Sequence, residues 1–170
     1  GGTIYIPEGI YYFERASDNA DYCIKVQSNV SICGAGRGRT ILKCGRNEDT
    51  TLYTLFWNCD QGITKTNMRF ENFTVDMSDM ANNTTPYNHK GKAFYIQGNT
   101  NSVYRDLELI GTPSTALGVD FLNNVIIDNV DCDTCGRLWT PNYTNSQGNI
   151  IEGPGGAGIG IGTGFLPVEN

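Results

Sequence analysis

Three stretches of the chain carry one pattern of apolar and polar positions and superpose without gaps: 68–76, 102–110 and 125–133. Apolar residues stack at Phe70/Tyr104/Ile127, Phe73/Leu107/Val130 and Val75/Leu109/Cys132, while Asn72, Asp106 and Asn129 share one column. Asp106 and Asn129 lie 23 residues apart, and the same step carries Phe94 and Ile96 onto Leu117 and Val119. Alternation of this kind predicts strands, and Asn or Asp in mid-strand predicts a sharp bend, because both tolerate the left-handed backbone. A repeat of about 23 residues built from three short strands and no helix predicts the coil of a parallel β-helix, in which a coil buries its apolar face only against its neighbours. The expected fold is therefore all-β, a single-stranded parallel β-helix forming one domain over 1–170.

Two connections exceed the repeat, about 78–91 and 134–155, and both leave the same corner. Such loops are expected to stand as walls beside a floor made of 94–97, 117–120 and 159–162. With Phe94/Ile96, Leu117/Val119 and Ile159/Ile161 inward, Tyr95, Gly118 and Gly160 point outward in one column and Gln97, Asp120 and Gly162 in the next. Glycine in a strand marks the close approach of a ligand or of another backbone, so the run 155–164 is expected to lie under a substrate or a sister subunit.

Composition narrows the partners. Twelve basic against eighteen acidic residues leave a formal net charge of −6, which denies the chain a phosphate-neutralising face and argues against nucleic acid. No run approaches the roughly 18 apolar residues of a membrane-spanning helix, so no membrane insertion is expected. Six cysteines at 23, 33, 44, 59, 132 and 135 read as reduced residues of a core, with at least one disulfide as the alternative. Cys132 and Cys135 form a lone pair with no second pair at ligand spacing, a weak metal signal. The segment Gly34-Ala-Gly-Arg-Gly38 leads into another strand rather than a helix, so it reads as a turn and no cofactor is expected.

The opening Gly1-Gly-Thr-Ile-Tyr-Ile-Pro-Glu-Gly-Ile-Tyr11 and the block Ser28-Asn-Val-Ser-Ile-Cys-Gly-Ala-Gly36 resemble the first coils of the pectate-lyase-like superfamily of right-handed parallel β-helices. The resemblance spans most of the chain. It implies carbohydrate as the ligand and often a homotrimer, and it includes secreted polysaccharide lyases and hydrolases as well as bacteriophage tail spikes and appendages. The polygalacturonase-type signatures are absent and the sole histidine is His89, so no catalytic residue is carried over. The family's usual upstream segment is also missing, and the chain reads as part of a longer one.

Candidate chemistry follows from the cleft. A glycosidase needs two carboxyls about 5–5.5 or 6.5–9.5 Å apart, and Asp120 on the floor and Glu152 on the second loop are the candidates. A lyase needs a base beside a cation, a role open to Arg137 or to a calcium ion held by oxygen ligands. Tyr95, Gln97, Tyr87, His89, Trp139 and Tyr143 are the candidate sugar contacts. Glu108, Asp131 and Asp133 form an acidic column on a neighbouring face, read as solvated or as an inter-subunit surface. The expected function is polysaccharide binding by a β-helix of a virion tail spike, appendage or related surface protein, with lyase or hydrolase activity left open. A free secreted polysaccharide lyase or hydrolase and a purely structural segment stand as the alternatives.

Overall fold

The computed structural model describes residues 1–45, 52–60, 62–80, 90–144, 148–154 and 156–162, and of 139–143 and 151–154 the backbone alone. Among these residues every element is a strand. In chain order they are β1 (Gly2–Ile6), β2 (Gly9–Phe13), β3 (Tyr22–Lys25), β4 (Val30–Gly34), β5 (Thr40–Cys44), β6 (Thr54–Asn58), β7 (Lys65–Thr66) and β8 (Arg69–Asp76). Then follow β9 (Phe94–Thr100), β10 (Val103–Ile110), β11 (Leu117–Asn123), β12 (Ile126–Asp133), β13 (Trp139–Thr144), β14 (Ile150–Pro154) and β15 (Ile159–Gly162). No helix of the described residues is long and apolar enough to cross a membrane.

The chain passes back and forth between two parallel sheets, laying one or two consecutive strands in each. The first runs β1-β4-β8-β10-β12, with β2 and β5 joined beside it; the second runs β15-β11-β9-β6-β3, with β7 on β9. The predicted columns are observed as paired residues: Phe70 opposite Tyr104, Phe73 opposite Leu107 and Val75 opposite Leu109. They continue as Ile127, Val130 and Cys132 on the next strand. Asn72, Asp106 and Asn129 hold φ of 62°, 51° and 50°, so the bend column is left-handed as expected. A one-residue bend leaves the ladder on either side intact, which is why β8, β10 and β12 each run as one bent strand rather than two short ones.

A second bend column escapes the sequence pattern. Asn29, Asn67, Asn101 and Asn124 all have positive φ, and their amides join them in two pairs. The Asn67 amide donates to Asn29 Oδ1 at 2.9 Å and Asn124 to Asn101 Oδ1 at 2.8 Å. Each asparagine thus supplies the unusual backbone conformation, and within each pair one side-chain hydrogen bond links successive passages.

Between the sheets lies a buried aromatic core. Phe56 and Phe94 stack at 4.8 Å from the second sheet, and Phe70 and Tyr104 at 5.4 Å from the first. The two pairs meet edge-on, with Phe94 5.2 Å from Phe70 and 5.4 Å from Tyr104. The buried Tyr104 hydroxyl accepts from the Asn99 amide at 2.5 Å, and burial pushes its phenol well above the ordinary tyrosine value.

Candidate functional site

The outer face of the second sheet carries the floor that the register specifies. Tyr95 pairs with Gly118 and Gln97 with Asp120, and β15 places Gly160 and Gly162 beside them. Alternation turns Phe94, Ile96, Leu117 and Val119 into the core, where they are fully buried. The outward residues therefore share one surface. Gln97 links that surface, its amide donating to the Tyr95 hydroxyl at 3.3 Å and to Asp120 Oδ2 at 3.4 Å.

Two features depart from an open cleft. Tyr95 and Gln97 keep only 9% and 3% of their surface exposed, so they form a lined floor rather than free platforms, and Asp120 is the more open of the three. The second is Lys92, 5% exposed, whose ammonium lies 4.1 Å from the centre of the Tyr95 ring. A cation over an aromatic face is held by the ring's quadrupole. The bare backbone of Gly118 makes room for this side chain: a methyl there would sit 3.1 Å from Lys92 Nζ. Nearby, burial pushes the Cys59 thiol up to about 12, against the opposing pull of the Tyr95 hydroxyl and Lys92. At the β6 end of the same column Trp57 stacks on Tyr22 at 4.9 Å, with Lys25 over its ring and paired to Asp60 at 2.6 Å.

At Gly156, Gly158 and Gly160 of the glycine run the chain itself supplies a close approach. A Cβ on Gly156 would meet the Thr115 backbone nitrogen at 2.6 Å, one on Gly158 would meet Cys132 Cβ at 2.9 Å, and one on Gly160 would meet Thr115 Cγ2 at 3.2 Å. The neighbouring passage of this same chain is the close approach that those glycines allow.

Arg137, a candidate cation of the sequence, commits its guanidinium to backbone carbonyls of the chain. Its Nε donates to the Gly111 carbonyl at 2.8 Å, and its Nη2 donates to the carbonyls of Met80 at 2.9 Å and Met77 at 3.2 Å. Burial lowers its pKa from the ordinary arginine value, a cost that the carbonyls offset. The guanidinium ties the ends of three passages together at one corner. Arg137→Ala leaves these carbonyls without their charged donor and is expected to cost about 2–4 kcal/mol. A urea midpoint unchanged from the native protein would remove the clamp from this account.

The other candidates divide between described and undescribed residues. Trp139, Tyr143 and Glu152 fall on an antiparallel hairpin, β13 paired with β14, in which Trp139 faces Pro154 and Tyr143 faces Ile151. The second corner loop is thus partly regular, and those three side chains lie outside the described residues. Tyr87 and His89 lie outside them altogether. The acidic column on the first sheet is answered from within the chain: Arg37 pairs with Asp131, and Glu108 accepts from Thr74 Oγ1 at 2.7 Å. No cluster of three or more His, Cys, Asp or Glu side chains fit to hold a metal occurs among the described residues.

Lys92 is the site residue that sequence reasoning missed. It sits in a Lys90-Gly-Lys92 run that reads as the polar end of a loop. The available signal was the bare Gly118 opposite Tyr95, since a gap beside an aromatic ring is where a long side chain can lie.

Comparison with known proteins supplies an independent line. Mannuronan C5-epimerase AlgE2 of Azotobacter vinelandii is 33% identical over 94 residues, covering 54% of this chain and 8% of that protein. Mannuronan C5-epimerase AlgE1 of the same organism is 44% identical over 43 residues, or 25% of this chain and 3% of the epimerase. Alginate lyase 7, also from Azotobacter vinelandii, is 42% identical over 43 residues, or 25% of this chain and 5% of the lyase. The chain therefore corresponds to a small part of each relative's length. No family model matches it, and no solved structure matches it.

Proposed function

We propose that the chain is a right-handed parallel β-helix domain that binds an anionic, uronate-containing polysaccharide on the outer face of its second sheet. The observation that carries the reading is the floor cluster itself. A buried ammonium, an amide and a carboxylate stand together on Lys92, Gln97 and Asp120. In a chain of net charge −6, long-range electrostatics oppose a polyanion, so a local, poorly solvated cation is what tips the site toward carboxylated sugars. The names of the relatives, which specify mannuronan and alginate, favour the same class of ligand. They favour a free polysaccharide-active protein over a virion tail spike.

Chemistry at such a site begins with the proton next to a sugar carboxylate. Taking it needs a base, and the resulting anion needs a fixed cation nearby. In this reading Asp120 takes the proton, Gln97 orients the Asp120 carboxylate, and the field of Lys92 stabilises the developing charge. Return of a proton to the opposite face would give epimerisation, and loss of the neighbouring glycosidic oxygen would give elimination.

The test is incubation with polymannuronate, polygalacturonate and a neutral glucan, with and without calcium. Reducing ends, the ultraviolet absorbance of unsaturated uronates and deuterium uptake at C5 from heavy water are followed together. Action on, or binding to, the two uronate polymers alone is expected, and Lys92→Met should weaken it. Binding confined to the neutral glucan would exclude the anionic reading, and no interaction with any polymer would leave a structural segment.

A further inference from the structure

Outside that floor, two sulfurs are brought together at the edge of the first sheet. Cys132 is the inward residue at the end of β12, paired with Leu109 of β10. Thr134 adopts φ 50°, and this turn folds the chain back so that Cys135 Sγ lies 3.3 Å from the carbonyls of both Leu109 and Asp133. The Cys135 sulfur is thereby held at the end of β12, against the strand partner of Cys132 and the residue that follows it. Both are partly exposed and unbridged. The side-chain-free Gly158 packs over Cys132, where a Cβ would lie 2.9 Å from Cys132 Cβ and 3.4 Å from its sulfur.

We propose that Cys132 and Cys135 form a thiol–disulfide exchange site that takes small-molecule disulfides and closes to an intramolecular disulfide. In the first step the Cys135 thiolate attacks one sulfur of the small disulfide, a sulfur–sulfur bond forms to Cys135, and one small thiolate leaves. In the second, Cys132 gives its proton to solvent and attacks Cys135 Sγ, expelling the second small thiolate. Two protein thiols lose two electrons, and one disulfide molecule is reduced to two thiols. Cys132 is the inward residue and lies under Gly158, whereas Cys135 stands in the turn, so Cys135 is the attacking sulfur and Cys132 the resolving one. The same direction follows from their surroundings: the neighbouring Cys132 and Thr112 hold the Cys135 thiol below the ordinary cysteine value against burial, while Cys132 is pushed up. The closed ring would anchor the root of the hairpin β13–β14 to the end of β12.

The experiment equilibrates the whole chain in glutathione buffers from fully reduced to fully oxidised, blocks free thiols with iodoacetamide in acid-quenched, denatured samples, and weighs the tryptic peptides. Residues 106–137 form one such peptide, which holds both cysteines. Its two blocked thiols are expected to vanish together as the buffer becomes oxidising, leaving a species two hydrogens lighter. In Cys132→Ala, Cys135 should instead carry one glutathione. In the native protein it should be blocked about tenfold faster than Cys44, whose buried thiol is pushed well up. Two thiols that stay free in fully oxidised glutathione, or a bridge from either cysteine to a different one, would overturn the proposal. The native-protein titration decides the matter even if the variant fails to fold.

Discussion

Phe94→Ala is expected to lower the stability of the chain by about 3–5 kcal/mol. Phe94 is fully buried and, like Phe56, touches rings from both halves of the aromatic core. It stacks on Phe56 at 4.8 Å and meets Phe70 and Tyr104 edge-on at 5.2 and 5.4 Å. Removing it deletes the apolar area of one ring and leaves a cavity between two sheets whose backbones are fixed by their ladders, so little collapse can refill it. Domains of this size are stable by only about 5–15 kcal/mol, so the loss is a large fraction of the whole. Ile126, 49% exposed on the outer side of β12, is the contrasting case. Its alanine variant should lower the stability read from urea unfolding by about 0.5 kcal/mol or less, and equal effects at the two positions would mean that the core is not where the structure places it.

The second large effect is expected at Asp120. If its carboxylate takes a proton from the sugar, Asp120→Asn should reduce turnover of polymannuronate by about 10²–10⁴-fold. Binding of the polymer and the urea midpoint should change little, because the amide keeps the size of the side chain and can still meet Gln97, whose Nε2 lies 3.4 Å from Asp120 Oδ2. Turnover that survives the substitution would assign the proton transfer elsewhere, and Glu152 on the hairpin would be the next residue to change.

Much of the scaffold was legible because a stacked repeat writes its geometry into columns. The superposition of 68–76, 102–110 and 125–133 specified the register that pairs Phe70, Tyr104 and Ile127. The mid-strand Asn and Asp specified the bends of Asn72, Asp106 and Asn129. The asparagine column at the other corner was harder to see, because its members are separated by 38 residues between Asn29 and Asn67 and by 23 between Asn101 and Asn124. Loops of unequal length hide a column that the folded chain makes straight.

The site was legible only as a surface. Alternation placed Tyr95, Gln97 and Asp120 outward correctly, but nothing in a one-dimensional pattern reports that Tyr95 and Gln97 are almost covered. Nor does it report that the side chain of Lys92 lies across Gly118. Arg137 shows the same limit from the other side. A lone arginine in a loop after a strand suggests a ligand, and only the fold brings the carbonyls of Met77, Met80 and Gly111 to one point to receive it.

The most direct test of the central claim is to titrate the isotope-labelled chain with a short mannuronate oligomer and follow its amide resonances. Saturable shifts are expected at Tyr95, Gly118, Asp120 and Gly160 and at the side-chain amide of Gln97, while Arg69, Glu71 and Arg105 on the outer face of the first sheet stay in place. Shifts confined to those first-sheet residues, or no shifts with the oligomer in large excess, would contradict the assignment of the polysaccharide site to the second sheet.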